Sequence, residues 1–157
     1  MVEPRWLDAA QQRDWRAFID GSLRLAEALE QDLKKRHGLS MAEYEIMVRL
    51  SETPDRTMRM AELAACASQS RSRLSHTVSR LERAGLVERR SCADDKRGVE
   101  AVLTEKGFST LAEAAPSHVT AVRDLFVDVV APDDLVAIGR SFESVIARLD
   151  ERRDEGH

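Results

Sequence analysis

The chain has 157 residues, 43% of them hydrophobic and 33% charged, with 24 basic against 28 acidic residues and a formal net charge of −4. That length suits one domain or two closely merged lobes and is enough for a core, and no apolar run approaches the roughly 20 residues that a bilayer-spanning helix needs. An acidic total taken alone argues against a polyanion partner, so any such partner must be met by a local concentration of positive charge.

From the N-terminus, Glu3, Asp8, Arg13 and Asp14 do not resemble a secretion signal, and cytoplasm is the expected location. Trp15, Phe18, Ile19, Ser22, Ala26, Leu29 and Leu33 then mark one stripe of a long first helix closed by His37 and Gly38. Ser40 is placed to cap a second helix with Tyr44, Ile46, Met47 and Leu50 as core, broken by Pro54. Leu63, Ala64 and Ala67 form the apolar face of a short third helix that ends near Ser68 and Gln69, and Ser70 can cap a fourth. From Arg71 to Ala84 this fourth helix sets Leu74, Val78 and Leu81 at i, i+4 and i+7. Its opposite side carries Ser72, Arg73, His76, Ser79, Arg80 and Arg83. Gly85 stops it, because glycine enters the left-handed cap conformation without a steric penalty.

Residues 86–90 and 99–103 read as two short strands joined by the charged loop Ala93 to Gly98. Thr104 is placed to cap a long helix with Leu111, Ala115, His118, Val122, Leu125 and Val129 inward and a bend at Pro116. Pro132 opens the last helix, in which Leu135, Ile138, Phe142, Val145 and Leu149 alternate three and four apart. Stripes this regular at both chain ends call for partner helices, and intersubunit packing is the economical source of them. No linker, low-complexity tract or internal repeat interrupts the chain.

A basic helix beside a hairpin with a charged tip is the winged form of the helix-turn-helix. Between Arg71 and Arg97 there are eight basic residues against four acidic ones, a local charge of +4 that leaves −8 on the remainder. Such a split concentrates an attractive field on one surface. The helix fits the major groove, its N-terminal half carries the base-reading side chains, and the wing tip lies over the neighbouring minor groove, where arginine is drawn by the negative potential. The DNA-binding candidates are therefore Ser70, Arg71, Ser72, Arg73, Ser75, His76, Ser79, Arg80 and Arg83 on the helix, with Asp95, Lys96 and Arg97 on the wing. A solvated helix face is the bland alternative for the arginines and His76, and Ser72 and Ser79 serve equally to keep the helix slim enough to enter the groove.

Ser70 to Arg89, followed by Asp94, Asp95, Lys96, Arg97 and Gly98 and then Leu103, Thr104, Glu105, Lys106 and Gly107, resembles the winged helix of MarR-type transcriptional regulators. With the flanking helices the resemblance covers roughly residues 7 to 153. It implies a homodimer on a pseudo-palindromic operator in double-stranded DNA, usually a repressor released by a small molecule or an oxidant. It further implies that Arg97 is the minor-groove arginine and that Asp95 holds the wing through a salt bridge. The expected fold is mostly α with a small β wing: a winged helix-turn-helix over residues 38–103 and a helical dimerisation region from residues 1–37 and 104–157.

In the resembling family, ligands lodge where the dimerisation helices meet the DNA-binding lobe. That crevice would here be lined by Trp15, Phe18, Met41, Tyr44, Met47 and His118, apolar walls with a few polar groups that suit an aromatic or phenolic effector. Aromatic and Met residues at helical spacing are equally the pattern of plain core. Cys66 and Cys92 read first as small buried hydrophobes, with redox sensing as the alternative. His37, His76, His118 and His157 show no ligand spacing, so neither a metal nor a cofactor is expected. An effector-independent architectural DNA-binding protein is the second reading. An enzyme is disfavoured for want of a nucleophile with a nearby base, a phosphate loop or a metal cluster.

Overall fold

Helix α1 (Ala9–His37) begins where Asp8 and Gln11 exchange hydrogen bonds. The Gln11 N–H donates to Asp8 Oδ1 at 2.8 Å, and the Asp8 N–H donates to Gln11 Oε1 at 3.1 Å. The structure, a computed structural model, describes residues 3–67, 69–92 and 98–155. At the other end Gly38 takes φ 69°, and its N–H donates to the Lys34 carbonyl, closing the helix where the sequence places its end. Ser40 caps α2 (Met41–Ser51) as expected, and Glu43 completes the box by accepting the Ser40 N–H at 2.8 Å. Pro54 then opens a single 3-10 turn, Pro54–Arg56.

That turn contains the first feature absent from the sequence reading. Asp55 and Arg56 have φ of 54° and 52°, conformations costly for residues with a Cβ. Arg56 is held by an ion pair to Glu105 at 2.9 Å and by its guanidinium lying 3.8 Å above the Phe108 ring. The reversal delivers β1 (Thr57–Arg59), an unpredicted third strand, onto the hairpin formed by β2 (Val87–Ser91) and β3 (Val99–Leu103). All three are antiparallel in the order β1-β3-β2, with Met58 opposite Ala101 and Arg89 opposite Ala101 on the other side. Three residues are too short a window for alternation to show, so the sequence carries no local signal for β1.

Helices α3 (Met60–Cys66) and α4 (Arg71–Arg83) complete the helix-turn-helix. Leu63, Leu74, Val78 and Leu81 are buried against Ile46, Met47 and Leu50 of α2 and Val87 of β2. Leu33 at the end of α1 and Leu111 and Ala114 of α5 (Glu105–Val122) belong to the same cluster.

The chain forms two compact units, Met1–Val119 and Thr120–His157. Within the first, only Leu33 of the expected α1 stripe is buried; Ile19 and Leu29 are half-buried, whereas Trp15, Phe18, Ser22 and Ala26 are exposed. On α5 the buried face is Gly107, Leu111 and Ala114 rather than the expected Ala115, which is half-buried with His118. The expected single helix to Val129 gives way after Val122 to a π turn, Arg123–Val127, in which the Asp128 N–H reaches the Arg123 carbonyl at 2.9 Å. The extra residue breaks the 3.6-residue period, and Leu125 and Val129, expected inward, are exposed. In the second unit α6 (Pro132–Asp154) starts at Pro132 as predicted; its Leu135 and Ile138 are half-buried, but Phe142, Val145 and Leu149 are exposed. Among the described residues no helix is long and apolar enough to cross a membrane.

Candidate nucleic-acid interface

α4 is a 13-residue helix, about 20 Å long at 1.5 Å per residue, with one face in the core and the other in solvent. Leu74, Thr77, Val78 and Leu81 are buried; Thr77 tolerates this because its hydroxyl donates to the Arg73 carbonyl at 3.1 Å. Ser70, Arg71, Ser72, Arg73, Ser75, His76, Arg80 and Arg83 are exposed, and Ser79 is half-buried. The structure thus brings the helix candidates onto one surface. The remaining three, Asp95, Lys96 and Arg97, lie outside the described residues.

Within that surface the side chains divide by what already holds them. Ser70 is the N-cap, its Oγ accepting the Arg73 N–H at 3.2 Å. Arg80 is half exposed, with Nε 3.0 Å from the buried carboxylate of Glu43, which completes the capping box of α2. This pair ties the C-terminal half of α4 to α2. Ser79 Oγ donates to the Ser75 carbonyl, and Arg83 Nε lies 3.2 Å from the Ser79 carbonyl, so both sit close along the helix surface. Arg71, Ser72, Arg73 and His76 remain at the N-terminal half, the part of a recognition helix that meets base edges.

The C-terminus of α4 is held by Gly85 and Thr104, which the sequence places as a stop and as the cap of the next helix, and by Lys106, which it gives only as part of a motif. Gly85 takes φ 72°, the left-handed stop expected of it. Thr104 Oγ1 donates to the Gly85 carbonyl at 2.8 Å and accepts the Gly107 N–H at 3.0 Å, so it caps α5 and ties that helix to the end of α4. Lys106 Nζ donates to the Ala84 carbonyl at 2.7 Å, a cation at the negative end of the α4 dipole. Arg89, Glu82 and Glu43 were likewise missed as site builders. For Glu43 the signal was present, three residues after a capping serine; for Glu82 and Arg89 the partners are distant enough in sequence that only the fold pairs them.

Two cavities flank α4. One of about 510 Å³ lies between α3, α4 and the hairpin, with Arg59, Arg71 and Arg89 in its wall. The other, of about 550 Å³, lies between α2 and α4 and is lined by Met41, Glu43, Arg73, His76 and Arg80. Of the six effector candidates, Met41 alone lines either cavity. Met47 is completely buried and is core, and Trp15 and Phe18 are exposed, with ring centroids 5.6 Å apart. Tyr44 and His118 form a second ring pair at 4.5 Å. Burial favours the neutral forms there, lowering the His118 pKa, against a smaller opposing pull from Asp32, and raising that of Tyr44. Cys66 is exposed, against the expectation of a buried hydrophobe, and Cys92 is buried; neither forms a disulfide among the described residues.

The sequence pattern of the MarR family matches residues 37–98, from the end of α1 to the residue before β3. Over nearly its whole length the chain is similar to AbsC, a MarR family transcriptional regulator from Streptomyces coelicolor, at 42% identity and a TM-score of 0.90, covering 94% of this chain and 99% of that one. The chain belongs to the MarR family. Another MarR family transcriptional regulator, Sco3205 from the same organism, solved in complex with DNA, is 42% identical with a TM-score of 0.89 over 92% of this chain and 90% of its own. The transcriptional repressor MprA of Escherichia coli (strain K12) is 26% identical over 124 residues, 78% of this chain and 69% of that protein. The MarR family relatives are transcription regulators rather than enzymes, and this chain is a transcriptional regulator of the same kind.

Proposed function

We propose that this MarR family regulator is a homodimeric repressor that binds a pseudo-palindromic operator through α4 and the wing. The observation that carries the proposal is the two-sided α4: a buried inner face and an outer face on which Arg71, Ser72, Arg73 and His76 stand exposed together. A two-fold dimer would present two such helices about 34–36 Å apart, one turn of DNA. Support for DNA as the partner comes from Sco3205, which was solved with DNA, and for repression from the name of MprA. In this reading residues 1–37 and 104–157 supply the dimerisation region, and Asp95, Lys96 and Arg97 complete the interface at the wing. Release of the operator by a small aromatic or phenolic molecule belongs to the same reading. Met41, Tyr44 and His118 are the candidates that support a contact with it, since Met47 is core.

The test is binding of the native chain to a duplex that it selects from a randomised pool, measured by anisotropy over a range of salt. The expected result is a selected palindrome and an affinity that falls steeply with salt. Arg73→Ala is expected to cost about 1–3 kcal/mol and to relax one position of the site if Arg73 reads a base. A chain that binds no duplex at low ionic strength would defeat the proposal.

A further inference from the structure

Strand β2 lies at the edge of the sheet, and its side chain Arg89 folds back onto α4. Arg89 Nη2 donates to the Ser75 carbonyl at 2.8 Å and to the Ser75 and Ser79 hydroxyls at 3.2 Å each. Nη1 donates to Ser79 Oγ at 3.1 Å and to Glu82 Oε2. The backbone N–H of Arg89, on the unpaired side of the edge strand, donates to the other oxygen of the same carboxylate, Glu82 Oε1, at 3.1 Å. Ser75, Ser79 and Glu82 stand at i, i+4 and i+7, so a single planar guanidinium grips two turns of one helix face. With Arg89 and Glu82 only a quarter to a third exposed, the pair is partly shielded from solvent.

We propose that Arg89 is a positioning residue for sequence discrimination: it fixes the wing against the recognition helix, and the hydroxyls of Ser75 and Ser79 are acceptors in that clamp. The proposal rests on the reading of α4 and the wing as the DNA interface. Without the clamp, the helix and the hairpin each keep their own contacts but lose their common register on the duplex. Binding to the preferred sequence then weakens, and binding to arbitrary sequence does not. A phosphate contact behaves otherwise: its loss weakens every duplex alike and lowers the slope of log K against log salt by about 0.9.

Two conservative variants separate these roles. Arg89→Lys keeps the charge, which suffices for a phosphate, but a lysine lacks the planar fork that reaches three partners. Glu82→Gln removes a negative charge, so simple electrostatics predicts equal or tighter binding to any duplex. The native chain and both variants are titrated against the duplex selected by the native chain and against a scrambled duplex of equal length, over a range of salt. Thermal unfolding checks that each variant is folded. The expected result for both is a loss of about tenfold on the selected duplex, a change of less than about twofold on the scrambled one, and an unchanged salt slope. Equal losses on the two duplexes, or native-like affinity of Arg89→Lys, or unchanged or tighter binding of Glu82→Gln to the selected duplex, would overturn the proposal. A native chain that selects no duplex would instead overturn the interface reading beneath it, so the two failures are distinguishable.

Discussion

A Cβ at Gly107 would stand 2.1 Å from the carbonyl oxygen of Leu86 and 2.7 Å from Leu103 Cδ1. Here α5 passes the end of the recognition helix at a distance that admits only a hydrogen, and the obstructing atom is backbone rather than a movable side chain. The close approach also lets Thr104 and Lys106 reach the last carbonyls of the α4 turn. Gly107→Ala is therefore expected to destabilise the chain by roughly 1–3 kcal/mol, as overpacking does. At this length that corresponds to a fall of about 2–4 °C in melting temperature per kcal/mol, which a thermal melt would read. An unchanged midpoint would show that the junction gives way at no cost.

Between elements, the contact of α5 with α2 places the His118 ring on Tyr44, half-buried and with its pKa lowered mainly by desolvation. The folded chain thus holds this imidazole neutral to lower pH than the unfolded chain does. As pH falls through the unfolded value near 6.5, the unfolded state takes up the proton first, and stability present above that pH is lost until the folded value is reached. As pH falls below about 7, melting temperature is expected to decline more steeply in the native chain than in His118→Gln. Parallel curves for the two would remove His118 from the account. Asp32 opposes the shift, so its neutralisation by Asp32→Asn is expected to steepen the decline. The same α5 shows where element-level patterning stops short: the spacing reads as one stripe to Val129, but the π turn at Arg123–Val127 resets the phase.

At the scale of the whole molecule, large apolar side chains stand exposed on the terminal helices. Trp15 and Leu23 of α1 are 54% and 65% exposed, and Val145 and Leu149 of α6 are 50% and 56% exposed. Their regular spacing suits a helix that packs on another copy, which is the support for the proposed homodimer. Val145→Asp combined with Leu149→Asp is expected to shift the chain toward monomer in sedimentation equilibrium. Operator affinity is expected to fall at least about tenfold, because the second half-site no longer binds at high effective concentration. A double variant that remains dimeric and binds as tightly would place the interface elsewhere.

The winged helix was readable because its signals are local. A cap at Ser70, a three-and-four spacing at Leu74, Val78 and Leu81, a stop at Gly85 and a charged hairpin each depend on neighbours a few residues away, and the chain's own chemistry enforces them. The caps at Ser40 and Thr104 were legible for the same reason. Tertiary structure alone decided the rest. It brought β1 to β3 through the strained turn at Asp55 and Arg56, set Arg80 on Glu43, folded Arg89 across Ser75, Ser79 and Glu82, and assigned Met47 to the core rather than to a pocket wall. Periodicity shows that a face is apolar or cationic, since that is a property of the residues themselves. Which surface covers the face, and which acceptor holds each cation, depends on distances between residues far apart in sequence, and those exist only once the chain has folded.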